Sequence, residues 1–165
     1  MSPVLLRFHS KAFEAVVEFL NSAEYTPRLV NENKADVCLE NVKTQTARAA
    51  QVLNSGILYC MAGKIQVQAM QDLVLRKLRV LKPYPPSEFI AIVGLVFQHG
   101  SARNDGEIRQ LLIDHIAEHY WDLQKKEPKQ FMEVMTTFPE LDAGVTARRV
   151  KGPKREMAFI KIEDD

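Results

Sequence analysis

The chain has 165 residues, of which 46% are hydrophobic and 26% charged, the length and composition of one ordinary globular domain. Lys and Arg number 22 against 21 Asp and Glu, which excludes a bulk-charge case for nucleic acid or a membrane surface. No apolar run reaches the ~18 residues of a membrane span, and the opening MSPVLLRFHSK is charged too soon for a signal peptide, so the expected location is cytoplasmic or nuclear.

The segment VLLRF at residues 4–8 is short and apolar and predicts a strand. Phe13, Val16, Val17 and Leu20 then recur at helical spacing, with Ser10 as the N-cap. Residues 22–45 hold Pro27 and a polar cluster and predict an irregular loop. From Thr46 the helical period returns through Ala50, Leu53, Ile57 and Met61, with Gly56 weakening the helix and Gly63 ending it as a C-cap. Met70, Leu73, Val74, Leu78 and Leu81 form the stripe of the next helix, which Pro83 stops.

SEFIAIVGLVFQHG at residues 87–100 is apolar nearly all round and predicts a central, buried helix. Ile108, Leu111, Leu112, Ile116, Tyr120 and Leu123 define another. Pro128 suits the first turn of a fifth, built on Phe131, Val134, Met135 and Phe138. ELDAGVTARRV predicts a short sixth, and KGPKREMAFIKIEDD reads as a charged tail.

Chemistry has few footholds. Cys38 and Cys60 lack metal-type spacing and nucleophile surroundings; they read as free thiols, with a mutual disulfide the alternative. The glycines are isolated and form no phosphate loop. In DHIAEHYWD, His115 and His119 lie one helical turn apart, with Asp114, Glu118 and Asp122 nearby, a spacing that suits a metal. Both histidines fall within the apolar stripe and no third ligand from elsewhere is visible, so they are read as packing residues, and no metal, cofactor or catalytic residue is assigned. Two tail features remain. Arg148, Arg149, Lys151, Lys154 and Arg155 make a basic cluster that reads as a nuclear-import signal or a solubilising tail. Ile160-Lys161-Ile162-Glu163 has the pattern at which the SUMO-conjugating enzyme recognises a lysine, here Lys161.

FHSKAFEAVVEFLNSAEYTP (residues 8–27) and LYCMAGKIQVQAMQDLVLRKL (residues 58–78) together resemble the second half of a BTB/POZ domain. In that family a helix and an acidic-Tyr-x-Pro turn precede a closing helical hairpin, whose pattern Ala62, Lys64, Val67, Met70, Lys77 and Leu78 match. Gly63 and Ile65 depart from it. Residues 84–123 resemble the helical extension of fungal BTB proteins. The resemblance implies a mainly α protein: a partial BTB/POZ fold with a short β element near the N-terminus and a C-terminal helical extension. The expected units are 1–82 for the BTB-like region, 83–150 for the extension and 151–165 for the tail. The family's N-terminal strand and first helix have no counterpart before Val4, so its homodimer is not expected. Residues 1–47 are then the softest part of the chain, and the hairpin is held by Ile65 and Val67 packed beneath the corner.

The implied function is non-enzymatic. It is a protein–protein interaction module, in the family's manner an adaptor for a cullin-type ubiquitin ligase, with the hairpin rim and the helices from Ser87 to Phe138 as the docking faces. The alternative is a nuclear transcription- or chromatin-associated scaffold subunit. Nucleic acid and membranes are not among the expected partners.

Overall fold

The computed structural model describes residues 3–31, 37–100 and 105–151, the first seven of these as backbone only. It is mainly helical: among the described residues, α1 (Pro3–Ser22), α2 (Gln45–Lys64), α3 (Gln68–Val80), α4 (Pro86–His99), α5 (Gly106–Lys126), α6 (Pro128–Thr137) and α7 (Pro139–Lys151). A two-stranded antiparallel sheet near the N-terminus joins β1 (Leu29–Val30) to β2 (Cys38–Leu39), with Leu29 opposite Leu39 and Val30 opposite Cys38.

The β element is not where VLLRF predicts it. Residues 4–8 belong to α1, and Ser10 lies inside that helix rather than capping it. A five-residue apolar run has no period of its own, and here it continues the helix that follows. The strands instead form within the expected loop. Ala23, at φ 56°, ends α1 in the left-handed region, its N–H donating to the Phe19 carbonyl at 2.7 Å.

Two expected stripes are rotated. α1 buries Ala12, Ala15, Val16 and Phe19, while Phe13, Val17 and Leu20 face outward. In α2 the inner face is Val52, Ser55, Gly56, Ile57, Leu58, Tyr59 and Ala62, while Ala50 is exposed and Leu53 and Met61 are partly buried. In α1 the small Ala12 and Ala15 share the core face with Val16 and Phe19, while the larger Phe13 and Leu20 lie outside it, the reverse of a reading that follows size alone. Thr44 caps α2, its Oγ1 accepting from the Ala47 N–H at 3.1 Å.

The corner after α2 also differs from expectation. The helix runs past Gly63 to Lys64, and the left-handed residue is Gln66, at φ 59°. Ile65 is exposed, and only Val67 packs against the core. The α3 stripe is as expected: Met70, Leu73, Val74, Leu78 and Leu81 are all buried.

α4 is the central element. Phe89, Ile92, Val93 and Val96 are wholly inaccessible, and it packs against α2, α5 and α6. The α2–α4 approach depends on Gly56, since a Cβ there would lie 2.6 Å from Ile92 Cγ2 and 2.8 Å from Ile92 Cβ. Gly56→Ala should therefore destabilise the fold by about 1–2 kcal/mol, the overpacking cost exceeding the gain in helix propensity. Urea unfolding measures this; an increase in stability would show that α2 and α4 separate without cost.

α5 holds the second layer through Ile108, Leu112, Ile116 and Leu123, and α6 and α7 close it with Phe131, Val134, Leu141 and Val145. Pro128 and Pro139 each open a helix, as their fixed φ and missing N–H favour. No described helix is long and apolar enough to cross a membrane.

Candidate functional site

The outer face of α1 is the first candidate. Phe13, Val17 and Leu20 are 63%, 42% and 64% exposed, and their i, i+4, i+7 spacing aligns them on one side of the helix. Lys11 and Glu14 flank them on the exposed surface. The same helix is held firmly from behind. Glu18 accepts hydrogen bonds from the Thr26 N–H and Oγ1 at 2.9 Å each, and the backbone bond lowers its carboxyl pKa.

Lys77 of α3 locks the turn that follows α1. It is 1% exposed. Its ammonium donates to the carbonyls of Tyr25 at 2.5 Å and Pro27 at 2.8 Å, and meets the Glu24 carboxylate at 2.5 Å. It also sits 3.4 Å from the centre of the Tyr25 ring. Burial lowers the Lys77 pKa, and the hydrogen bond and charge of Glu24 oppose that. Every donor direction of the ammonium is thereby used. This lysine is structural, and it anchors the turn that follows α1.

The second candidate is the histidine pair. His115 is 7% exposed and lies among Phe89, Tyr84 and His119, with ring centroids 4.4, 4.8 and 4.4 Å away. Its Nδ1 is buried without a hydrogen-bond partner. Burial, helped by the nearby charges of His119 and Lys82, holds its pKa at about 4, so the ring is neutral at physiological pH. His119 is on the rim of the cluster, with its Nε2 3.7 Å from Glu118 Oε2. Of the acids named from sequence, Asp114 is taken by Gln110 and Arg148, and Asp122 by Lys126. Glu118 is the one the structure brings beside both histidines.

Cys38 and Cys60 are both free. Cys60 lines a cavity of about 190 Å³ with Tyr59, Gln71, His99 and Asp105. Burial, reinforced by Asp105, pushes its thiol up to about 11, which suppresses the thiolate needed for nucleophilic work. An open groove of about 410 Å³ is lined by Gln45, Arg48, Tyr84, Lys126 and the prolines 83, 85 and 86.

Arg148, Arg149 and Lys151 are helical, on the last turns of α7. Arg148 pairs with Asp114 at 2.8 Å, and Arg149 lies 3.9 Å from the Tyr120 ring and 5.1 Å from that of Trp121. Arg148 and Arg149 thus contact α5 in the folded chain. Lys154, Arg155 and Lys161 lie outside the described residues.

Sequence reading missed the buried donor role of Lys77 and the packing of the stacked Tyr84–Phe89 pair against His115. The signals for them are a lone lysine inside the α3 apolar stripe and the aromatics Tyr84 and Phe89 flanking PPSE. No protein-family model, curated protein or solved structure compared with the chain matches it.

Proposed function

We propose that the chain is a non-enzymatic protein–protein interaction module that docks a partner polypeptide on the outer face of α1. The observation that carries this is the line of Phe13, Val17 and Leu20, exposed on a helix whose other face and C-terminal turn are fixed. A large apolar group on a rigid element is what an interface anchor requires. Three side chains alone fall short of the roughly 800 Å² that each side of a standard interface buries. They therefore serve as its centre, with charged Lys11 and Glu14 on its rim.

The more specific form is an adaptor on a cullin-type ubiquitin ligase. That form rests on the BTB resemblance and on no separate structural observation. The docking face differs from the hairpin rim and the 87–138 helices expected from sequence, because the α1 stripe is rotated outward.

Photo-crosslinking in cells tests the proposal. A benzophenone side chain at position 13 or 20 should yield discrete adducts with another protein, while one at exposed position 133 of α6 should not. A cullin adduct supports the adaptor form, and a different partner removes that form alone. Adducts only with a second copy of the chain, or none at 13 and 20, overturn the proposal.

A further inference from the structure

We propose that His115, Glu118 and His119 of α5 form a binding site for a divalent transition-metal ion of the zinc class. The spacing is i, i+3, i+4, which puts all three groups on one face of one helix. One ligand atom from each lies within 4.8 Å of the others. Zinc takes imidazole nitrogen and carboxylate oxygen at ~2.0–2.2 Å, so closing on an ion needs only modest rotation of the outer groups. The side chains of Glu118 and His119 are 68% and 45% exposed and free to make it.

His115 supplies the fixed element. Its ring is held by Tyr84 and Phe89, and its buried Nδ1 has no hydrogen-bond partner. A buried ring nitrogen without a partner calls for an explanation, and simple packing beside Phe89 offers none. The His119 ring lies 4.4 Å from the His115 ring, centre to centre, at a break in α5 where His119 has φ −110° and ψ 21°.

The surroundings select Glu118 as the acid. Asp114 and Asp122 are committed to Arg148 and Lys126. Two imidazoles and one carboxylate make the mixed N and O set that zinc accepts, with solvent at the remaining position. Calcium and magnesium, which prefer all-oxygen sets, are disfavoured.

Titration of the purified full chain with zinc chloride tests this, after chelator treatment. One equivalent should bind with micromolar or tighter affinity, and cobalt should give a visible absorption spectrum of low-coordinate nitrogen–oxygen type. His119→Ala and Glu118→Gln are exposed changes that should leave the metal-free melting temperature unaltered. Each should weaken zinc by at least the roughly 10–100-fold seen on losing even an outer-shell partner. A parallel Cys38→Ser chain should bind as the wild type does. No binding at 100 molar equivalents, unchanged affinity in both α5 variants, or loss of binding in Cys38→Ser would overturn the site.

Discussion

Lys77→Met should destabilise the fold by about 3 kcal/mol, the lower end of the 3–5 kcal/mol seen when one partner of a buried ion pair is removed. Methionine fills the volume but donates nothing. The carbonyls of Tyr25 and Pro27 and the carboxylate of Glu24 then lose their common donor. Glu24 retains 23% exposure, and water recovers part of its loss, which places the effect at the lower end. The damage should be local before it is global. The turn at residues 24–27 loses its anchor, and protection against hydrogen exchange should fall there and at the end of α1 while α4 and α5 keep theirs. A loss under 1 kcal/mol would show that the clamp is incidental.

Phe89→Ala should cost about 3–5 kcal/mol, the range for truncating a buried aromatic. Phe89 is wholly inaccessible on the central helix. It stacks on Tyr84 at 5.1 Å and 11° and leans on His115 at 4.4 Å. Tyr84 is anchored through its hydroxyl to the Leu78 carbonyl at 3.0 Å, so it cannot move in to fill the space. The urea midpoint should fall with an unchanged slope, the mark of altered stability rather than altered compactness. Phe89→Leu, which keeps most of the volume, should lose markedly less. Equal losses in the two variants would contradict a packing origin.

The helices of α3, α4 and α5 were legible because their apolar residues are large, periodic and buried on more than one side. Val93 and Leu78 announce themselves by type and spacing alone. α1 was not legible in this way. Its core face uses Ala12 and Ala15 where α2 comes close, so the bigger side chains beside them looked like the stripe. Only the packing partner decides between two adjacent faces of one helix, and sequence does not contain it. The same holds for Lys77. Its acceptors are 50 and 52 residues away in the chain, in a segment whose Pro27 and polar residues indicated no more than a loop. β1 and β2 are two residues each, too short for an alternating pattern. The histidine pair was visible from spacing, but the choice of Glu118 over Asp114 and Asp122 depends on which cations those two meet across α7 and along α5.

The rotation of α1 is also what moves the proposed docking face. Read from periodicity, Phe13 and Leu20 belong to the core and the helices from Ser87 onward carry the contacts. In the folded chain Phe13 and Leu20 are outside, and α1 is pinned by Glu18 and by the Lys77 clamp. Residues 10–30 thus pack on the helices through named contacts, and hydrogen exchange measures whether residues 1–47 are the softest part of the chain.

The most direct test of the interaction reading compares proteins retained by the wild-type chain with those retained by a Phe13→Asp, Leu20→Asp double variant. Both are purified from native cells and quantified by mass spectrometry. The two substitutions sit on exposed positions, so the circular-dichroism melt should be unchanged. A small set of proteins should be retained by the wild type and depleted roughly tenfold or more in the variant, the effect of losing about 1.4 kcal/mol at an interface centre. Identical retention profiles from two equally folded chains would contradict the proposal that this face of α1 docks a partner.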